Sequence, residues 1–560
     1  MRPPQAFRPS PDQQAGRSAH RAVVIVGAGP VGLSLAIDLA LRGVQSVVLE
    51  ADTSLRAGSR AICYAKRSLE ILDRLGVGQR MLDKGVTWQR GKVFWRDRTV
   101  YAFDLQPEAG HRMPAFVNLQ QSYLEQFLIE RAQELSVDLR FGHRVGEVVA
   151  RDDGATLQVS APACDYALEC DWLLACDGVH STVRHALGLA FEGRVFHDRF
   201  LITDVRMEAD LPPERWFWFD PPFHPGQSAL LHRQPDNVWR IDLQLGRDAD
   251  PQVEIRPERV IPRLKAMLGA DRRFEIEWIS VYTFQCRRLA RFRHGRVIFL
   301  GDAAHQVSPF GARGFNGGIQ DADNLAWKLA CVLAGLAPEA LLDSYEEERL
   351  VAADENIRHS TRSTEFITPH DPASRALRDA VLALAEHHDF ARRMINSGRL
   401  STPTNLSFSS LVTPDRDAFA AGAAPGSPCM DAPLLHGATP CWLLQQLAPS
   451  ATLLLFLDDA GALDAATAGA LRALAREPVP IETRVILRRA DGAPLTIEGL
   501  TALADAEGLA GTRYGAAPGS ACLVRPDQHL AARWRRFEPD AVRQAARRML
   551  DGLASPVGGE

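Results

Sequence analysis

The chain runs to 560 residues, more than one ordinary hydrophobic core accommodates, so several domains are expected. Apolar residues make up 46% and charged residues 24%, a soluble globular composition, and 64 basic against 69 acidic side chains argue against nucleic acid or an anionic membrane as a main partner. Nine scattered cysteines, with no CxxC pair and no Cys/His cluster at ligand spacing, point to a reduced cytoplasmic setting and no bound metal.

Residues 1–20, rich in Pro, Gln, Arg and Ser, hold no apolar run of signal-sequence length and read as a disordered tail. No apolar stretch reaches the length of about 18 residues that a membrane helix needs. Residues 22–27 (AVVIVG) predict a buried strand, followed by a Gly-rich turn, a helix from Val31 to Leu41, and a second strand, SVVLE, ending at Glu50. This is a βαβ unit opening a parallel sheet. In GAGPVG, Gly27 makes the tight turn, Gly29 bares backbone for a pyrophosphate and Gly32 allows close helix–strand contact. Pro30 and Val31 open the helix, whose N-terminus favours phosphate. Glu50, 18 residues beyond Gly32, is placed to accept hydrogen bonds from an adenosine ribose. The motif alone does not separate FAD from NAD, and a purely structural turn is the competing interpretation.

Helical spacing follows at 66–75 and 121–135, then DWLLACDG (171–178) as a strand ending in a turn. Beyond Asp177 and Gly178, Ser181 suits a helix cap and Arg184 a phosphate contact, although most Asp-Gly turns are only turns. From 191 to 290, runs such as FLITDVRM, SALLHR and VWRIDLQL alternate with turn signals and predict an inserted antiparallel sheet. GRVIFLGDAAH (295–305) returns to the buried-strand pattern, and a Gly-rich loop then leads into a helix over 319–333. Asp302 suits a ribityl hydroxyl. Gly311 and Gly314 free the backbone to run against a flat ring, with the positive end of the helix aimed at it. Residues 401–428 read as a linker, and 429–560 as a small α/β domain with strands in ATLLLFLDD, ETRVILRRADG and ACLVRPD and a last helix over 539–550.

GAGPVG, DGxxSxVR and GDAAH followed by GxNGGIQDADNLAWKLA, in this order over roughly residues 20–360, resemble the group A FAD-dependent aromatic hydroxylases, the para-hydroxybenzoate hydroxylase and phenol hydroxylase family. The resemblance implies an α/β fold with a Rossmann-like FAD-binding domain in two parts (21–190 and 291–400) and an antiparallel substrate-binding sheet domain (191–290). The 429–560 region resembles the thioredoxin-like C-terminal domain of the phenol hydroxylase branch, best over 513–534. Lacking CxxC, it implies a structural or homodimer-supporting role without dithiol chemistry. The resemblance also implies bound FAD, contacted by Gly301, Pro309, Phe315 and Asn316, by Arg60 in SRAICYAKRSLEIL and by Gln121 in QQSYLE. NADPH or NADH would dock transiently, and a phenolic substrate would be hydroxylated with dioxygen through a flavin hydroperoxide.

The chain departs from the family at Ser308-Pro309, where Pro-Pro is common, and at Gly311-Ala312-Arg313-Gly314, where Gly-Gly-Gln-Gly is common. Arg313 places a positive charge near flavin or substrate. This loop and the 219–245 segment are similar to the 3-(3-hydroxyphenyl)propionate hydroxylase-like branch. The catalytic base is open: His232, Tyr282, His224, Arg233 and Arg313 are candidates, with Trp216, Phe217 and Trp218 as pocket walls, and a core or surface role competes for each. Alternatives are an epoxidase, halogenase or reductase on the same fold, a non-catalytic flavin-binding protein, and an ordinary NAD dehydrogenase.

Overall fold

The AVVIVG run lies in the strand Ala19–Val26, whose last four residues are buried. It pairs in parallel with Tyr166–Ala175 on one side and Val47–Glu50 on the other. The sheet extends in parallel to Val297–Phe299 beyond the first and to Asp138–Phe141 beyond the second. Ala19–Val26 is thus the central strand, from which crossovers diverge to both sides, and open α/β sheets take ligands outside the carboxyl ends of strands at such a point. The computed structural model describes residues 10–14, 18–53, 61–106, 108–162, 164–395, 400–488, 496–497 and 499–551. Two helices cover the sheet where the site forms: Pro30–Leu41 and Gly314–Leu333, which pack against each other. The second begins five residues earlier than the apolar spacing from Ile319 predicts, because Gly314 to Gly318 carry no apolar stripe yet are already helical.

The inserted sheet is larger than 191–290. Its order is His305–Gln306, Glu275–Leu289, Phe191–Arg206, Val238–Leu245, Ser228–Arg233, Arg215–Phe219, Arg90–Trp95 and Arg98–Asp104. The last two strands come from the first part of the chain, and Arg90–Trp95 runs parallel to Arg215–Phe219. A small sheet of Cys63–Ala65, Phe116–Asn118 and Val86–Trp88 lies against it, tied by Asn118 Nδ2 donating to the Arg233 carbonyl at 2.8 Å. The other face of the large sheet is closed by the helix Pro257–Leu268, through Val260 and Leu264.

Two expectations of loose chain fail. Within 1–20, Asp12 is buried and ion-pairs with Arg21 and Arg140, and Ala19 already belongs to the central strand. Residues 1–9 and 15–17 lie outside the described residues. Segment 401–428 holds no helix or strand but is packed: Leu406, Leu411 and Val412 are buried, and Ser409 Oγ donates to Glu348 at 2.5 Å. Its Ser/Thr/Pro/Gly composition resembles a linker because these residues satisfy an irregular backbone, not because the segment stands free.

The C-terminal domain is a mixed sheet. Ala451–Leu457 pairs in parallel with Ile481–Leu487 and antiparallel with Ala521–Val524, which in turn pairs antiparallel with Leu530–Trp534. The helix Ala465–Leu474 joins the parallel pair and Pro539–Asp551 follows the antiparallel one. The domain is locked to the rest through buried charge. Arg525 donates to both oxygens of Glu348 (2.5 and 2.9 Å) and to both of Asp527 (3.0 and 2.5 Å), and Lys328 Nζ lies 2.8 Å from Glu348.

Burial pushes the Glu348 carboxyl up, but Arg525 and Lys328 outweigh it and hold the group below its ordinary 4.5. Its contribution to stability is therefore complete above that pH and is lost as pH falls through the depressed value. Removing one member of a fully buried pair strands the other charge, so Arg525→Met is expected to lower stability by about 3–5 kcal/mol, read as a fall in the urea midpoint. The same midpoint should fall more steeply in acid for the unaltered chain than for Glu348→Gln.

Candidate active site

Three motifs far apart in sequence meet at the carboxyl ends of the parallel strands. The Gly27 N–H donates to the Leu49 carbonyl at 2.7 Å, Cys176 to Val26 at 2.8 Å, and Leu300 to Ala175 at 3.0 Å, so the GAGPVG, Asp177 and Asp302 turns leave adjacent strand ends. Gly27 has φ +102°, and a Cβ there would sit 2.5 Å from the Cys176 carbonyl oxygen. A Cβ on Gly32 would overlap the Gly27 carbonyl. These two glycines are needed by the fold itself. Gly29 is different: its backbone is extended, and a Cβ there meets nothing within 4 Å. Gly29 caps the Pro30–Leu41 helix, which no side chain caps, so bare backbone and a helix dipole end face open space.

Glu50 buttresses this turn, accepting from Ala28 N at 2.8 Å and Asp52 N at 2.9 Å, and keeps lone pairs for further donors. In the Asp177 turn, Gly178 has φ +76° and Ser181 caps the next helix, accepting from Arg184 N at 3.0 Å. Asp177 Oδ2 accepts from Val183 N, while Oδ1 is buried without a partner among the described residues, and burial raises the carboxyl above its ordinary range. Arg184 does not reach outward. Its guanidinium donates to the carbonyls of Val179 and Ala303 and lies 4.1 Å over the Phe191 ring, so it fastens the Asp177 turn to the Asp302 turn.

The loop before the Gly314–Leu333 helix is held from three sides. The Asn316 side chain accepts from Ala65 N at 2.9 Å and donates to the carbonyls of Cys63 (3.0 Å) and Ala312 (2.6 Å). Phe315 packs edge-on to Tyr64, with ring centroids 4.8 Å apart. Asp321 accepts from the Gly301 N–H and lies 2.7 Å from His305 Nε2, which pins the strand end carrying half-buried Asp302. Arg313 is buried and folds back, so that a Cβ on Gly311 would collide with its guanidinium. Gly314 opens the helix, and Pro309 is exposed at the loop's edge. Gln121 opens its own helix, donating to Glu125 and accepting from Ala61 N at 3.1 Å. Arg60 lies outside the described residues.

Strand parity sorts the remaining candidates. His232 pairs with Arg240 and Tyr282 with Phe200, which places both on the inner face of the large sheet, as does the Phe217–Leu230 pair. Trp216 and Trp218 fall on the opposite face, in the outer core with Leu231 and Ile241, and do not wall the inner side. Arg233 pairs with Trp239 and lies 5.6 Å from its ring on that same outer face. His224 sits in a loop, its Nε2 2.6 Å from the Gln244 carbonyl. His232 is buried, 3.9 Å from Cys63 Sγ and 3.4 Å from Asn118 Nδ2. Burial, then Arg215 and Arg240, hold it far below its ordinary basicity, which makes it a neutral ring and a poor proton acceptor.

Residues absent from the sequence-based set also converge here: Cys63, Asn118, Arg215, Asp204, Arg240 and Asp242. The signal was present in VWRIDLQL, where Arg240, Asp242 and Gln244 alternate with Trp239, Ile241 and Leu243, setting two charges on one face of a strand. Among the described residues no cluster of metal-ligating side chains occurs, and no helix is long and apolar enough to cross a membrane.

The FAD binding domain family matches residues 20–360, more than half of the chain. The 12-dehydrotetracycline 5-monooxygenase/anhydrotetracycline 6-monooxygenase of Streptomyces rimosus subsp. rimosus is 34% identical over 382 residues, 65% of this chain and 73% of that protein. The 6-methylpretetramide 4-monooxygenase of Streptomyces rimosus is 30% identical over 529 residues, 92% of this chain and 91% of its own length. Among solved structures, that of the flavin-dependent monooxygenase PieE in complex with FAD and substrate matches with a TM-score of 0.77 at 23% identity, over 95% of this chain and 98% of that one, a likeness of fold. With the convergent turns at the sheet's carboxyl edge and this span of similarity together, the chain belongs to the FAD binding domain family, among its FAD-dependent aromatic monooxygenases.

Proposed function

We propose that the chain hydroxylates a phenolic ring, using NAD(P)H and dioxygen, with FAD lying along the carboxyl edge of the parallel sheet. The observation that carries this is a pair of helix N-termini without a side-chain cap, at Gly29 and at Gly314, with Asp302 Oδ1 4.0 Å from the place a Cβ on Gly314 would take. The residues fit the cofactor. The helix end at Gly29 suits the pyrophosphate, Glu50 a ribose, and Asp302 a ribityl hydroxyl. The N-terminus of the Gly314–Leu333 helix suits the pyrimidine edge of the ring, and the vacant lone pairs of Asp177 Oδ1 supply a further acceptor. Gln121 and Asn316 act as positioning residues, and Arg184 joins two of the turns.

Bound FAD supplies transfer of one oxygen atom from dioxygen to the ring. The protein's own tasks are to hold that ring against the inner sheet face, to exclude water and to manage the phenol proton. The hydrophobic inner-face residues Phe200, Phe217, Leu230 and Phe310 provide the dry wall. A non-catalytic flavin-binding role is disfavoured by the polar groups placed inside that wall. Relatives named for tetracycline intermediates support including fused polycyclic phenols among the candidate substrates alongside single-ring phenols. We further infer that 429–560 is a thioredoxin-like domain. The β-α-β and β-β-α arrangement about Ala451–Leu457 supports this, and its role is to brace the FAD-binding part.

Two experiments check the reading. Gly29→Val should fold normally, since its side chain meets open space, yet lose about two charge-assisted hydrogen bonds' worth of pyrophosphate contact, roughly 3 kcal/mol or about 100-fold in FAD affinity. Gly32→Val should instead fail to fold. A Gly29→Val protein that stays yellow through dialysis removes this turn from the cofactor site. For activity, phenols, hydroxybenzoates, hydroxyphenylpropionates and polycyclic phenols are screened for stimulated NAD(P)H oxidation. The expected outcome is a product heavier by one oxygen atom, and stimulation with no oxygenated product from any phenol would discard the hydroxylase assignment.

A further inference from the structure

The inner face of the large sheet holds two charged side chains that no described residue pairs with. Strand Val238–Leu245 sends Arg240, Asp242 and Gln244 inward. Arg240 is committed to Asp204, donating through Nε and Nη2 at 2.8 Å each. Gln244 accepts from Ser228 N and Oγ. Asp242 accepts no hydrogen bond from any described residue, and its Oδ1 is buried. Arg215 lies on the same face, by the pairing of Phe217 with Leu230 and of Leu230 with Asp242, and its guanidinium makes no hydrogen bond or ion pair with a described residue. Half-buried charges without a hydrogen-bond partner among the described residues are costly, so two of them on one face, a strand apart, mark a place completed by something else.

That place adjoins the flavin loop. Cys63 stands 3.9 Å from His232 on this face, and its carbonyl accepts from Asn316 at the head of the Gly314–Leu333 helix. The Cys63 thiol feels the charges of Arg215, Arg240 and Asp242 together. Cys63 thus links the residue that heads the Gly314–Leu333 helix to the face that carries Asp242 and Arg215.

We propose that Asp242 accepts the proton of the substrate's ring hydroxyl and that Arg215 holds the resulting oxyanion. The step is a proton transfer. The phenol O–H bond breaks with its electron pair left on oxygen, the proton bonds to an Asp242 carboxylate oxygen, and it later leaves to solvent. Nothing is oxidised or reduced. The electron-rich phenolate is then the better nucleophile toward the transferred oxygen. Burial raises the Asp242 carboxyl to about 7, with Arg240 opposing, Asp204 adding and Arg215 opposing. The other titratable groups facing it are neutral near that pH: His232 is held down, and Cys63 and Tyr101 are pushed up, all chiefly by burial. The base form of Asp242 thus fills as pH rises through neutrality.

The inference rests on the phenol assignment above, and the test separates the two. With the holoenzyme and the most stimulating unactivated phenol of the screen, resorcinol serving as reference, two quantities are followed against pH. These are kcat/KM and the ultraviolet signature of bound phenolate, for a phenol that ionises near 10 in water. The unaltered enzyme should show a rising limb near neutrality and a bound phenol ionised well below its solution value. Asp242→Asn should lose that limb, shift the bound ionisation upward, and fall about 10²–10⁴-fold at neutral pH, recovering in alkali. Asp242→Glu should restore a limb at a displaced midpoint, and Arg215→Gln should raise the bound phenol's ionisation. Flavin absorbance and melting midpoint report whether each variant is folded. An Asp242→Asn enzyme with the original limb and the original bound ionisation overturns the assignment of Asp242 alone. An unaltered enzyme that neither binds nor oxygenates any phenol overturns the substrate class, and this inference with it.

Discussion

The helix Gly314–Leu333 carries Asp321, Asp323, Asn324 and Lys328 into the interior, and each must meet a counter-charge or hydrogen-bond partner there. Asp321 finds Gly301 N–H, His305 and Arg349; Asp323 finds Arg67 and Arg74; Asn324 and Lys328 share Glu348. Buried pairs contribute little net stability compared with apolar packing, but a helix shifted by one residue would strand carboxylates in the core. Register is therefore fixed by electrostatics, and with it the direction of the helix's N-terminus. Asn316, near that terminus, clamps Cys63–Ala65 and so couples the loop to the small sheet facing His232.

The C-terminal domain belongs to the same network. Asp527 accepts from Trp327 Nε1 at 3.1 Å, and its carbonyl accepts from Arg67 at 2.6 Å, so the domain touches both the Gly314–Leu333 helix and the helix Lys66–Arg74 that follows the Cys63–Ala65 strand. Of its cysteines, Cys429 and Cys522 are buried and Cys441 is half-buried, and burial raises all three thiols above their ordinary value. Buried charge contributed from across the domain boundary, Arg525 to Glu348, ties it to the rest of the chain.

Much of this was legible in the sequence wherever the information is local. Gly27 and Gly32 announce a turn because each lacks a side chain at a position where the backbone must be bare, and apolar runs announced the central strands. What escaped depends on contacts far along the chain. Arg90–Asp104 joins the inserted sheet by a parallel pairing to Arg215–Phe219 that no neighbouring residue encodes. Arg184 is placed by type where a phosphate ligand would be, but two carbonyls and the Phe191 ring take up its guanidinium. Trp216 and Trp218 were the conspicuous aromatic residues, yet a strand turns alternate side chains to opposite faces, and only the known face of a partner residue decides which side is which.

The same sheet contains its own control for why Asp242 and Arg215 stay unpaired. Arg240 and Asp204 are directly opposite on adjacent strands, and they form a 2.8 Å ion pair. Arg215 and Asp242 face the same way but have the Ser228–Arg233 strand between them. Two strand spacings and a two-residue offset along the strands (Arg215 lies level with His232, Asp242 with Leu230) put their backbones about 12 Å apart, beyond the reach that made the first pair close without effort. Satisfying one charge with the other would require both side chains to lie flat across Leu230 and His232. Left upright, they present a carboxylate and a guanidinium on one face of the sheet, each without a hydrogen-bond partner among the described residues. Register thus neutralises one Arg/Asp couple of this face, and an intervening strand with a two-residue offset keeps the other two charges from closing on each other.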